Sequence, residues 1–164
     1  MTVELLKNFI NATLLEQFPD KETKTSSEVE GEPDIITTEP NATLSSAVEV
    51  ANQSYSALTA RMPSKAVIRF DSQTFQLKTA LCHVYEYVLQ DKAILHNLSL
   101  QTMGLSEEQV FSNYFQLLRA EREELEQMRK EALDEIKDKE EDVKNMGAML
   151  YHRYPRRPKG GRLW

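Results

Sequence analysis

The sequence contains a single cysteine, Cys82, and no long run of apolar residues. One cysteine cannot form a disulfide within the chain, which favours a reducing compartment. A helix that spans a membrane needs roughly 20 consecutive apolar residues, and the region after Met1 carries Glu4 and no signal-peptide pattern. We therefore expect a protein without a membrane span, located in the cytoplasm or within an assembled particle.

Sequence motifs typical of metal-binding or catalytic sites are equally scarce. The sequence has no HxxxH or CxxC spacing that would predict a set of metal ligands. Cys82 and His83 are adjacent, but neighbouring residues on a helix point about 100° apart and cannot form a nucleophile-base pair. We expect Cys82 to be a small packing residue. The sequence predicts no enzymatic activity, no cofactor, no metal site and no small-molecule substrate.

Charge is distributed unevenly along the 164 residues. The segment from Tyr151 to Trp164 has five cationic residues and no acids, and because the whole chain carries −6, the segment from Met1 to Leu150 carries −11. Such asymmetry predicts two different surfaces for two different partners.

The sequence predicts a mostly α-helical fold with a small core, because only 40% of its residues are apolar. Residues 19–43 are rich in Glu, Thr, Ser and Pro and cannot repay the entropy of folding, which predicts a flexible acidic arm. Alternation near residues 65–77 is also compatible with a short β-hairpin. The predicted segments are an N-terminal amphipathic helix (1–18), the acidic arm (19–43), a helical core (44–120), a projecting amphipathic helix (121–150) and a basic aromatic tail (151–164).

Helical spacing of apolar residues supports three core helices. From Leu44 to Met62 the apolar positions are spaced 4-3-4-3-4, and the stretch from Thr74 to Leu98 reads as one central core helix. Ser106 and Gln109 fit a capping box that starts the last helix. That helix opens with a broad apolar face, which should pack against other helices: Val110, Phe111, Tyr114, Phe115, Leu117 and Leu118.

Four Asn-x-Ser/Thr triplets begin at Asn11, Asn41, Asn52 and Asn97. Glycosylation needs a compartment that the cysteine usage argues against, so we expect these asparagines to be helix-capping and turn residues.

The last helix should run from Glu107 to about Leu150, which corresponds to roughly 65 Å and exceeds the width of so small a domain. Its second half should project, and its narrow apolar face should meet a partner. The residues predicted to bind partner chains are Leu6, Phe9 and Ile10 of the N-terminal helix, Leu125, Met128, Ile136, Val143 and Leu150 of the long helix, and Arg153, Tyr154, Arg156, Arg157, Lys159, Arg162 and Trp164 at its end and in the tail.

These features favour a non-enzymatic assembly subunit that binds other protein chains in a larger complex, for which a virion or similar particle is one setting. The basic, aromatic tail leaves three interpretations open. It can dock into an acidic groove of a protein, contact the phosphates and bases of a nucleic acid as part of a regulator, or serve as a solubilising end.

Overall fold

The computed structural model describes the backbone of residues 1–25, 35–62, 67, 70–102 and 104–153, and the side chains in these ranges as far as residue 133, except those of residues 24, 25, 35 and 36. Within these ranges the chain is mostly helical, as predicted. The helices are α1 (Val3–Lys7), α2 (Ala12–Leu15), α3 (Ala42–Thr59), α4 (Ser72–Gln90), α5 (Lys92–Gln101) and α6 (Glu107–Arg153), and the strands are β1 (Lys21–Thr25) and β2 (Ile35–Glu39).

The N-terminal segment forms two short helices where one was predicted. Thr2 Oγ1 caps α1 by accepting a hydrogen bond from the Leu5 N–H at 3.3 Å, and Asn11 Oδ1 caps α2 by accepting from the Leu14 N–H at 2.7 Å. Asn41 caps α3 in the same way. Asparagine competes for backbone N–H groups, so it starts a new helix where a continuous apolar pattern suggests one helix.

The segment predicted to be a flexible arm contains the antiparallel β1–β2 hairpin, in which Lys21 pairs with Glu39 and Thr25 with Ile35. Asp20 anchors the base of the hairpin, because its carboxylate accepts hydrogen bonds from Lys7 Nζ at 2.5 Å and from the Asn41 N–H at 3.2 Å. The bond from Lys7 holds the pKa of Asp20 below its usual value. Residues 26–34 lie outside the described part of the chain.

The predicted β-hairpin near residues 65–77 is wrong in its second half, because α4 already begins at Ser72. Asp71 starts this helix, since its carboxylate accepts hydrogen bonds from the Thr74 N–H and hydroxyl at 3.1 and 2.7 Å. Residues 63–66, 68 and 69 lie outside the described residues.

The predicted central helix from Thr74 to Leu98 is divided at Asp91. This residue ends α4 with an extended backbone, φ −98° and ψ 103°, and its side chain accepts hydrogen bonds from the N–H groups of Ala93 and Ile94 to begin α5. The apolar face continues across the break, because Val84 and Val88 on α4 and Leu98 on α5 are all buried.

Two hydrophobic clusters form the core, and α4 contributes to both. The first joins α4 with α3, α5 and the N-terminal segment, so that Leu6, Ile10, Leu14 and Phe18 belong to the main core. The second joins α4 to α6 and contains Phe75, Cys82, Leu118 and Leu125. The helical core therefore includes the first 18 residues and part of the segment predicted to project.

The start of α6 confirms the predicted capping box. The Ser106 N–H donates to Gln109 Oε1 at 2.9 Å, and the Gln109 N–H donates to Ser106 Oγ at 3.3 Å. Just before it, Gly104 has φ +97°, a conformation in which a side chain would be strained.

Helix α6 runs antiparallel to α4, since Tyr114 packs against Tyr85 and Arg129 lies over Phe75. It has 47 residues against 19 in α4, or about 70 Å against about 28 Å. None of the helices in the described ranges combines the length and the apolar content needed to cross a bilayer.

We expect Asp91→Ala to lower the free energy of unfolding by about 1 kcal/mol, because it removes the acceptor for two N–H groups at the start of α5. Urea denaturation followed by circular dichroism measures this change. Asp91→Ser keeps a hydrogen-bond acceptor at this position, so its free energy of unfolding should fall much less. Equal losses in both variants would contradict the capping role.

Candidate functional site

The structure separates the three predicted partner-binding residues near the N-terminus. Leu6 is fully buried and Ile10 is 7% exposed, both within the main core of this chain, so the prediction that they contact a partner does not hold. An amphipathic helix buries its apolar face against whichever surface it meets, and here that surface is intramolecular. Phe9 points outward and is 56% exposed.

The apolar face predicted on the second half of α6 begins inside the core. Leu125 is buried against Phe75 and Cys82 and therefore contacts α4 rather than a partner. Met128 is partly buried beside it, and its contact with a partner stays a prediction. The side chains of Ile136, Val143, Leu150 and Arg153 lie outside the described residues. The same is true of the whole tail, including Tyr154, Arg156, Arg157, Lys159, Arg162 and Trp164.

Of the four large apolar side chains of α6 that are exposed in the described residues, three lie on one side of the helix, while Leu117 lies on nearly the opposite side. Phe111 and Phe115 are 43% and 52% exposed to solvent, and their rings stack on each other with centroids 6.2 Å apart. Leu133 lies on the same side of the helix and is 41% exposed. These three were not assigned to a site by the sequence, and both phenylalanines were expected to be packed.

The width of the apolar arc explains why this expectation was wrong. At about 100° per residue, the six apolar residues between Val110 and Leu118 cover about 160° of the helix circumference. One neighbouring helix covers less than that, and the buried positions are Val110, Tyr114 and Leu118. The excess width was the signal in the sequence that pointed to an exposed apolar edge.

The same side of α6 carries charged residues that border a groove. The groove has a volume of about 470 Å³; α4 forms its floor and α3 and α6 form its walls. Arg122 and Glu126 belong to the α6 wall, and Arg122 Nη2 donates to Glu86 Oε1 on α4 at 2.5 Å. We call the side formed by Phe111, Phe115, Arg122, Glu126 and Leu133 the α6 flank.

An ion-pair cluster fixes how α6 is rotated against α4. Lys78 Nζ on α4 lies 2.8 Å from Glu121 and 2.6 Å from Glu124, and the lysine side chain is 19% exposed. Desolvation alone would lower the pKa of Lys78, but its hydrogen bonds with the two glutamates outweigh this effect and raise the pKa. Because Glu121 faces α4, the α6 flank is turned toward the open side of the molecule.

Cys82 lies on the floor of the groove, with His83 beside it along α4. The thiol is buried, and this burial, together with the negative charges of Glu121 and Glu86, raises the pKa of Cys82 to about 11. His83 Nε2 lies 3.5 Å from Ser46 Oγ on α3. The environment of Cys82 therefore favours the protonated thiol, which is a poor nucleophile.

A smaller cavity of about 210 Å³ lies between α2, α5 and α6. Leu98, Leu105 and Leu117 give it an apolar wall, while Asn11 and Tyr114 add polar groups. This volume is below the range of about 300–1,000 Å³ that is usual for small-molecule sites, so the cavity is better suited to a single apolar side chain.

Within the part of the chain that the structure describes, no group of three or more His, Cys, Asp or Glu residues is placed to hold a metal ion. Comparison of the chain with protein-family models, with curated proteins and with solved structures finds no match in any of the three.

We expect Cys82 to react with iodoacetamide at about pH 8 roughly a hundredfold more slowly in the folded protein than in the urea-unfolded chain, because its pKa of about 11 leaves little thiolate. The rate should keep rising up to about pH 11. Mass spectrometry of the alkylated fraction over time measures it. Equal rates in the folded and unfolded states would show that the thiol is not shielded.

Proposed function

We propose that this protein is a non-enzymatic assembly subunit that binds another protein chain through the α6 flank. The observation that carries the proposal is the exposure of the stacked Phe111 and Phe115 rings, with Leu133 further along the same side. Single exposed apolar residues are ordinary on protein surfaces. Two stacked aromatic rings on a rigid helix are the kind of group that anchors protein interfaces.

The position of the α6 flank supports protein binding over binding of a small molecule. Phe111 and Phe115 are exposed on the surface of a helix, and neither of them lines the groove. A partner helix or loop could cover the two rings and reach Arg122 and Glu126 at the groove wall, so that an apolar centre would be bordered by charged residues.

The length of α6 adds to this proposal. Helix α4 begins at Ser72, close to the level of Arg129 on its antiparallel neighbour, while α6 continues to Arg153. The later turns of α6 extend along the axis beyond the first turn of α4. This geometry is in keeping with a projecting helix that reaches a neighbouring chain, as the sequence predicted.

The alternative function, a nucleic-acid-associated regulator, depends on the basic tail. Residues 154–164 and the side chains of residues 151–153 lie outside the described residues, and the described part of α6 carries many acidic side chains. Phosphate contact by Arg156 or Arg157 therefore stays a prediction from the sequence.

We expect the double substitution Phe111→Ser and Phe115→Ser to reduce the recovery of bound protein chains at least tenfold, because the two rings are the apolar anchors of the proposed interface. An affinity-tagged chain is expressed in the cells that naturally produce the protein. The proteins retained with it, including untagged copies of the same chain, are quantified by mass spectrometry.

Leu100→Ser is the matched control, since Leu100 is 67% exposed on α5 and lies off the α6 flank. Urea denaturation checks that the variants fold, and the loss of stability should be small because all three side chains are exposed. Unchanged recovery with the double variant, or an equal loss with the control, would contradict the proposal.

A further inference from the structure

We infer that the partner of the α6 flank is a second copy of this chain, bound through the same flank with the two α6 helices antiparallel. This inference rests on the proposed function and names its partner. It is carried by the order of four side chains of the flank, Phe115, Arg122, Glu126 and Leu133, which is symmetric about one position; Phe111 lies outside this symmetric set.

The apolar members define a line along the helix. Phe115 and Leu133 are separated by 18 residues, which is five full turns and about 27 Å. Their side chains therefore point in the same direction, and both are exposed, at 52% and 41%. A partner that covers one of them and lies parallel to the helix axis also reaches the other.

The charged members lie between these two and share their centre. Arg122 and Glu126 are four residues apart and within about 20° of the line from Phe115 to Leu133. Residue 124 is the midpoint of both pairs. From Phe115 to Leu133 the flank thus reads apolar, positive, negative, apolar, with equal spacing on each side of the centre.

A two-fold axis at the level of residue 124 makes this order self-complementary. It places Phe115 opposite Leu133 of the second copy and Arg122 opposite Glu126 of the second copy, and each contact occurs twice. Parallel helices in equal register would place Arg122 against Arg122 and Glu126 against Glu126. Charge therefore favours the antiparallel arrangement.

The remaining arginines do not oppose this arrangement. Arg119 and Arg129 of the two copies lie at the same level, but they are about 40° to either side of the central line and so occupy opposite edges of the interface. Each also has a partner within its own chain. Arg119 Nε donates to Glu123 at 2.8 Å, and Arg129 lies 5.7 Å from the centre of the Phe75 ring. Arg122 also has an internal partner, Glu86, but its side chain is 59% exposed and its guanidinium has further N–H groups to donate to Glu126 of the second copy.

Two charge-reversal variants of the full chain test the pairing. We expect Arg122→Glu and Glu126→Arg each to weaken self-association about tenfold or more, because each variant alone brings like charges together twice. An equimolar mixture should associate as well as the unmodified protein, because both contacts are then between opposite charges. Sedimentation velocity over a concentration series measures the apparent Kd of each sample.

The mixture also separates the interface from effects inside one chain. Arg122→Glu places two acids near each other at Glu86, and mixing cannot repair such an internal defect. Restoration by mixing therefore reports a contact between copies. If the mixture associates no better than the separate variants, or if the unmodified chain remains monomeric at high concentration, the inference is overturned.

Cysteine variants test the register independently. Under mild oxidation Phe115→Cys should form a disulfide with Leu133→Cys in a mixture, while each variant alone should give little crosslinked dimer, because equivalent positions of two copies are about 27 Å apart. Leu100→Cys in place of Leu133→Cys is the control and should not crosslink. Crosslinking of Phe115→Cys with itself would instead indicate a parallel pair and overturn the antiparallel arrangement.

Failure of the inference that the partner is a second copy is distinguishable from failure of the proposed function. If the Phe111→Ser and Phe115→Ser variant loses a different protein while the unmodified chain is monomeric, the assembly role stands and the second copy is the wrong partner. If neither a second copy nor another chain depends on these rings, both conclusions fail.

Discussion

The structure depends on the burial of helix α4 against two sets of neighbours at once. Phe75, Val84 and Val88 are fully buried, with Phe75 in the α6 cluster and the two valines in the cluster that includes α3 and the N-terminal segment. Burying a large apolar side chain is worth about 1.5–3 kcal/mol, so these contacts determine which face of α6 is consumed within the molecule. The face of α6 that does not pack against α4 or its neighbours remains accessible to a partner.

Electrostatics then refine this arrangement. The Lys78 ammonium group bridges Glu121 and Glu124, and its raised pKa shows that the bonds to the two carboxylates outweigh the cost of partial burial. Ion pairs of this kind contribute modestly to the free energy of unfolding, because desolvation offsets much of the attraction in the partly buried Lys78–Glu121 pair and Glu124 is exposed to solvent. Their larger effect is geometric, because they resist rotation of α6 about its own axis and so keep the Phe111 and Phe115 rings on the outer side.

Some local signals in the sequence predicted local structure correctly, whereas the capping residues Asn11 and Asp91, which divide two predicted helices, were missed. The capping box at Ser106 and the helix from Leu44 onward follow from short-range hydrogen bonding and spacing, which the chain encodes directly. The β1–β2 hairpin was missed because its strands contain few apolar residues and are held at the base by Asp20, a contact between distant parts of the chain. Periodicity also cannot say whether an apolar face meets its own chain or a partner, and Leu6 and Leu125 were misassigned for that reason.

A self-associating surface needs few residues, and this explains how so short a flank could specify a partner. A two-fold axis duplicates every contact, so that four side chains on one helix define two apolar and two charged contacts and the register between the copies. A different protein would need its own matching surface to reach the same specificity. The net charge of −6 opposes the approach of two copies in general. An arrangement in which Arg122 meets Glu126 in both directions counters that repulsion at the centre of the proposed interface, whereas a parallel pair in equal register would add to it by placing Arg122 against Arg122 and Glu126 against Glu126.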